Sequence, residues 1–230
     1  MTLLPEATSR RGLTGDLWTA VSPTYQAIIE HPFLQGLLDG SLSTDRFRFY
    51  VIQDSHYLRG FSRGLALTGA RARSGDETVL FTSSAANAIA VEQTLHAGFI
   101  AELGLDGSAV ATTPRTPTTT AYVDFVLAHT STGSYGEAIA AVLACYWIYA
   151  EVGKELVAQG SSRPRYQRWI DTYGGEAFLT TVSRVLDVVD DVGTAVGTAE
   201  LARMHELFAT GCRYEWMFWD AAWRGETWPI

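Results

Sequence analysis

The run from Ala138 to Ala150, 13 apolar residues between Glu137 and Glu151, is the longest uninterrupted apolar stretch in the chain. A membrane-spanning helix needs about 20 such residues, so a segment of this length belongs to a buried core. Within it, VLACYWIYAEVG (Val142 to Gly153) sets one cysteine among three aromatic side chains. A thiol placed there is either small packing material or a nucleophile in an aromatic pocket.

Elsewhere apolar residues recur at spacings of three and four, and no segment alternates with period two between hairpin turns, which predicts helices throughout. Ser74-Gly-Asp-Glu77 and Ser134-Tyr-Gly-Glu137 fit the capping box, in which serine and glutamate each satisfy an orphan backbone N–H. Ser43-Thr44-Asp45 places capping side chains and a negative charge before FRFYVIQDSHYL. The pattern predicts helices near 8–29, 44–72, 75–103, 118–131, 135–159, 163–173, 176–191 and 198–223. Breaks fall at His31-Pro32, Asp39-Gly40, Gly104–Pro117, Thr132-Gly133, Gly160 and Gly174-Gly175. ATTPRTPTTT (Ala111 to Thr120) is a short Thr/Pro-rich crossover between amphipathic helices. The expected architecture is all-α, a single helical bundle over residues 1–230.

Hydrophobic residues make up 47% and charged residues 18% of the chain, which excludes a disordered polypeptide. The low charge also suggests that a partner subunit covers some apolar surface. A net charge of −8 with no basic face argues against a nucleic-acid partner. Cys145 and Cys212 lie in helix-like contexts and read as reduced thiols. MTLLPEATSRRG at the N-terminus lacks the apolar core of a secretory signal. The expectation is a soluble, cytoplasmic protein with no membrane span.

Three of the predicted helices each carry a reactive group within an aromatic stripe. Tyr50, Asp54, Tyr57 and Phe61 share one helical face. A buried carboxylate is costly without a partner, so Asp54 either pairs with a buried arginine or awaits a polar ligand; alternatively it faces solvent beside the stripe. Glu215 shares a face with Phe218, Trp219 and Ala222, and burial there would raise its pKa toward neutrality, as a general acid and base requires. Its alternative is a boundary residue paired with an arginine, since Lys154 is the only lysine. Cys145 and Tyr149 are i, i+4 on the third helix. A buried cysteine by itself is more often inert. Three such helices together are stronger, because bundles build sites from inward-facing residues of several helices. A thiol with two carboxylates fits covalent chemistry on a flat, protonatable heteroaromatic that stacks on aromatic faces.

HPFLQGLLDGSLSTDRFRFYVIQDSHYLRGF (His31 to Phe61), AAVLACYWIYAEVG, YQRWIDTYGGEAF (Tyr166 to Phe178) and YEWMFWDAAW resemble, in order, the TenA family, thiaminase II. The resemblance runs from about residue 30 to 228. It implies a heme-oxygenase-like helical fold and a homotetramer. It further implies hydrolysis of 4-amino-5-aminomethyl-2-methylpyrimidine, and of thiamine, to the 5-hydroxymethyl product, without metal or organic cofactor. Carried over by motif, Cys145 is the nucleophile that adds to the ring, Glu215 handles protons for the leaving group and for water, and Asp54 binds and helps protonate the ring nitrogen. Tyr57, Tyr122, Tyr149, Tyr173 and Phe218 match pyrimidine-binding positions. Three residues depart from the common pattern and bear on substrate fit: Ala144, His56 and Trp216.

Other readings compete. Glu92 and His96 in VEQTLHAGF are i, i+4 and would supply two ligands of a di-iron oxygenase on the same scaffold, which needs further ligands from at least two other helices. Heme binding needs an axial histidine that nothing singles out. A pyrimidine-binding regulator without catalysis has no need of a nucleophile. Cys212 reads as structural.

Overall fold

Several helix ends fall where local capping chemistry puts them, in a computed structural model that describes residues 7–91, 93, 97–104, 110 and 112–230. A short 3-10 turn, Ala7–Ser9, precedes α1 (Leu13–Ile29), α2 (Pro32–Asp39), α3 (Thr44–Ala70), α4 (Gly75–Val91) and α5 (Ala97–Glu102). There follow α6 (Pro117–Thr132), α7 (Tyr135–Gln159), α8 (Pro164–Tyr173), α9 (Glu176–Ala195) and α10 (Thr198–Arg224). No strand occurs among the described residues.

The Ser134 capping box forms in full, with serine and Glu137 each accepting the other's backbone N–H. At Ser74 only half of it forms. Ser74 accepts from Glu77 N–H, but the Glu77 carboxylate takes Arg73 N–H, the Arg73 guanidinium and the Tyr135 hydroxyl instead. A charged partner and a second helix compete successfully for that carboxylate. Ser43 caps α3 through Arg46 N–H, as its sequence suggests.

Two differences from the sequence pattern have clear causes. The segment between the His31-Pro32 and Asp39-Gly40 breaks is itself a helix, α2. His31 caps it by accepting Phe33 N–H on Nδ1 at 3.1 Å, Pro32 opens it, and Gly40 at φ 77 closes it. The helix expected from residue 8 starts at Leu13, after Gly12 at φ 80, and its cap comes from another helix. Asp190 of α9 accepts the Thr14 N–H at 2.8 Å, and Arg10 binds both Asp187 and Asp190. The helix expected over 75–103 is α4 and α5, with part of the intervening chain outside the described residues.

The centre of the fold is α7. It packs against α3, α6, α8, α9 and α10, and every residue from Ala138 to Gly153 is buried except Cys145. α3 crosses beside it and also meets α4, α6 and α10. No helix among the described residues is long and apolar enough to cross a membrane.

The tightest contact between helices matters for the site. A Cβ on Gly153 would stand 2.5 Å from the carbonyl oxygen of Tyr173, and one on Gly174 would stand 2.2 Å from Val157 and 3.0 Å from the Gly153 carbonyl oxygen. Two glycines thus let the end of α8 lie directly on the α7 backbone. Gly153→Ala is expected to lower unfolding stability by about 1–3 kcal/mol, the usual cost of overpacking. Denaturant titration checks this; an unchanged midpoint would show that the contact is not tight.

Candidate active site

Cys145 is reachable because a cavity opens on the one position between Ala138 and Gly153 of α7 that its neighbours leave uncovered. The thiol is half-buried and faces a cavity of about 900 Å³. Asp54 from α3, Tyr149 from α7 and Tyr173 from the end of α8 line the same cavity. Asp54 is 2% exposed, so the carboxylate inferred from the aromatic stripe does point inward. The Tyr149 and Tyr173 rings lie 4.7 Å apart between centroids. Tyr149 is fixed from behind: its hydroxyl is 3.1 Å from that of Tyr50, which also accepts the Trp169 indole N–H at 3.3 Å.

Glu215, Tyr122, Tyr57 and Phe218 do not line the cavity. They form a layer behind the thiol. Glu215 on α10 is 1% exposed, and the Tyr122 hydroxyl of α6 donates to its Oε1 at 2.5 Å. No arginine takes the role expected of a boundary-residue pairing; a neutral phenol does. Tyr57 packs on Tyr122 at 4.6 Å and on Phe218 at 5.7 Å. Its buried hydroxyl has no well-formed hydrogen bond among the described residues, yet it lies close enough to Cys145 to favour the thiolate slightly.

Electrostatics separates the groups. Burial pushes the Glu215 carboxyl up to about 8, reinforced by the Asp54 charge and partly opposed by the Tyr122 hydrogen bond. A neutral carboxylic acid therefore sits behind the thiol at neutral pH, able to donate a proton. Burial also raises the Cys145 thiol, and the carboxylates Glu215 and Asp54 raise it further. Such a thiol is weak as a free nucleophile and becomes effective when a cationic or proton-accepting ligand lies against it. Cys212 is fully buried and lines no part of the cavity, consistent with a packing role.

The three departures from the family pattern all point elsewhere. Ala144 is buried against Gly211 of α10, where a Cβ would meet it at 2.8 Å. His56 Nε2 is 2.8 Å from the Thr113 carbonyl oxygen, holding the crossover loop beside Gln53, which bonds Pro114 and Thr116. Trp216 meets His31 edge-on at 5.5 Å. None lines the cavity. Glu92 and His96 lie outside the described residues. Among the described residues no three His, Cys, Asp or Glu side chains group as metal ligands.

Motif spacing missed the layer of Tyr50 and Trp169 that holds Tyr149. Its signal was present, since Tyr50 lies one turn before Asp54 on the same stripe. Of the cavity's outer walls, Phe61 was legible as the end of the Asp54 stripe, but Tyr146 and Phe178 carried no such signal, because the walls come from three helices with no shared spacing.

The fold and site define a helical, heme-oxygenase-like protein with a thiol and two carboxylates gathered beside an aromatic cavity. The chain belongs to the TENA/THI-4/PQQC family, which it matches over residues 18–225. It is 33% identical over 210 residues to the aminopyrimidine aminohydrolase of Bacillus subtilis, covering 91% of this chain and 89% of that one. It is 36% identical over 211 residues to the thiamine biosynthesis multifunctional protein ThiED of Corynebacterium efficiens, of which it spans only 28%. Among solved structures, a TenA homologue from P. horikoshii OT3 superposes with a TM-score of 0.84 at 30% identity, covering 94% of this chain and 100% of that one. A heme-oxygenase-like domain from Shewanella denitrificans, at 16% identity, covers 91% of each chain with a TM-score of 0.72 and supports the fold alone.

The Glu215 shift has a consequence for stability. Its folded pKa lies above the ordinary value of 4.5, so between about pH 4.5 and 8 the native state holds a proton that the unfolded chain has lost. Native stability then falls as pH rises, by about 1.4 kcal/mol per pH unit from this group. Glu215→Gln removes that slope. The expected result is a variant whose stability advantage over the parent grows between pH 5 and 8 and then levels; parallel profiles would show that Glu215 ionises normally.

Proposed function

We propose that the chain is a thiaminase II-type hydrolase of thiamine salvage that uses Cys145 as a nucleophile. Its substrates are 4-amino-5-aminomethyl-2-methylpyrimidine and thiamine, and the shared product is 4-amino-5-hydroxymethyl-2-methylpyrimidine. The observation that carries the reading is the placement of Cys145. It is the one uncovered residue of a helix otherwise buried from Ala138 to Gly153, and it faces a cavity that also holds Asp54, Tyr149 and Tyr173. Relatives named aminopyrimidine aminohydrolase that match nearly their whole length support the reaction class.

The geometry suggests the following steps. The pyrimidine stacks against Tyr149 and Tyr173, with a ring nitrogen on Asp54. The S–H of Cys145 adds across the ring, sulfur bonding to the unsubstituted carbon beside C5 while the proton ends on the ring nitrogen held by Asp54. The ring's electron pair then expels the 5-methylene substituent, and neutral Glu215 gives an amine leaving group its proton. The exocyclic methylene so formed takes up water, whose proton returns to Glu215. Loss of sulfur, which recovers its proton from the ring nitrogen, restores the aromatic ring. Tyr122 fixes the Glu215 carboxyl throughout. The scheme calls for no metal or organic cofactor.

The test is steady-state release of the hydroxymethyl product from both substrates by metal-free protein. Cys145→Ala is expected to stay folded and lose turnover by several orders of magnitude; near-normal activity would sink the mechanism, and binding without turnover by the parent would leave only a sensor. Asp54→Asn is expected to raise KM and lower kcat together, because the aspartate both binds and activates; an unchanged kcat would remove its activating role. With the amine substrate, kcat is expected to fall above about pH 8 as Glu215 loses its proton. In Glu215→Gln the residual rate should lose that dependence.

A further inference from the structure

The proposed general acid is held by a phenol, and the phenol is only as well placed as the helix that carries it. Tyr122 lies one turn into α6, fully buried. The start of that helix is fixed from outside. Thr116 caps it, and the Thr116 N–H donates to the side-chain oxygen of Gln53 on α3 at 3.1 Å. Pro117 has no N–H, so the next donor is that of Thr118, which has no partner within the helix, as at the start of any helix. It donates instead to the Glu226 carboxyl at 2.9 Å, and the Thr118 hydroxyl donates to the other oxygen of the same group at 2.8 Å.

Glu226 comes from the segment that follows α10. Gly225, at φ 63, ends that helix in the left-handed region open to glycine, and the Glu226 N–H donates back to the Ala221 carbonyl oxygen at 2.9 Å. The turn carries the Glu226 side chain to α6, where it is 13% exposed. Arg224, 3.8 Å from it and largely in solvent, adds only a weak ion pair. The Trp228 indole N–H ties the same segment to the Arg115 carbonyl oxygen at 2.9 Å. Two carboxyl groups on α10 and its closing turn therefore grip α6 one turn apart, Glu226 at Thr118 and Glu215 at Tyr122. Residues four apart share a helix face, so a shift of the first turn passes directly to the Tyr122 ring. Thr118 is 3% exposed; without Glu226 its N–H would lie buried and unpaired, and the turn would have to move to find a partner.

Resting on the hydrolase reading, we propose that Glu226 is a positioning residue for the reaction: it fixes the first turn of α6 so that the Tyr122 hydroxyl meets the Glu215 carboxyl where the departing amine takes its proton. Glu226 touches no reacting atom. Besides Tyr122, Glu215 faces Asp54, Tyr50 and Tyr57 of α3, and Cys145 and Tyr149 of α7. Tyr173 of α8 and Cys212 of its own helix are its other titratable neighbours among the described residues. None of these is carried by α6, so a change in the first turn of that helix reaches Glu215 through Tyr122. The Tyr122 hydrogen bond holds the Glu215 carboxyl down, and loosening it lets that carboxyl rise above about 8.

The experiment measures kcat, KM and the pH profile on 4-amino-5-aminomethyl-2-methylpyrimidine for the parent, Glu226→Ala, Glu226→Gln, Tyr122→Phe and the double variant Glu226→Ala/Tyr122→Phe. In Glu226→Ala, kcat is expected to fall about ten- to a hundredfold, the loss that a displaced catalytic group brings. KM is expected to change less than about twofold, because the pyrimidine rests on Asp54, Tyr149 and Tyr173 of other helices. The alkaline fall in kcat should move above about pH 8 in both Glu226→Ala and Tyr122→Phe. Glu226→Gln keeps an oxygen for the Thr118 N–H and should restore most of the rate. The double variant should be no slower than Tyr122→Phe, since both changes act on one hydrogen bond. Losses that multiply in the double variant would overturn the role, as would a Glu226→Ala protein that is less stable but keeps the parent's kcat and pH profile. If Glu226→Ala does not fold, Thr118→Val removes the hydroxyl from the same contact and keeps its shape; a rate and pH profile like the parent's would then overturn the role. A parent protein that hydrolyses nothing ends the hydrolase reading, and the role of Glu226 with it.

Discussion

Because α7 carries no polar face between Ala138 and Gly153, other helices must cover it on every side. α3, α6, α8, α9 and α10 do so, and what they leave uncovered becomes the route to the protein's interior. Only Cys145 stays accessible. The thiol is therefore a product of the packing as much as of its own sequence position. Asp54 and Tyr173 reach the same cavity because their helices are among those that must lie against α7.

The acids and the thiol form a graded set. Glu215 is fully enclosed, held by a phenol in place of a cation, and consequently neutral at the pH where most carboxylates are charged. Burial and the two carboxylates hold the Cys145 thiol protonated as well. Such a site has little intrinsic reactivity toward stray electrophiles. In the proposed reaction the thiol is called up when a flat ring that accepts a proton lies against it, which would be a form of specificity built from desolvation.

Much of this was legible in the chain. The all-α architecture followed from spacing alone, and the bounds of α7, Tyr135–Gln159, were readable from a serine-glutamate box at one end and Gly160 at the other. Inward-facing Asp54 and Glu215 were readable because each interrupts an aromatic stripe. What the sequence hid was non-local. Asp190 caps α1 from 176 residues away, a partner that no local window reveals. Glu77 abandons its capping box for Arg73 and Tyr135. His56 and Trp216 looked like substrate determinants beside site residues, but a helix turns successive side chains about 100° apart, and both face away from the cavity.

The glycine contact between α7 and the end of α8 acts as a gauge block. Gly153 and Gly174 bring main chain against main chain, with the Val157 side chain closing over Gly174, so the gap between the Tyr149 and Tyr173 rings is set mainly by backbone geometry. Residues farther out, such as Phe178 and Ala88, carry no such constraint. Evolution can therefore re-tool the outer cavity by ordinary side-chain exchange while the aromatic slot keeps its dimensions. A chain built this way separates the part of a substrate it must always recognise from the part it is free to vary.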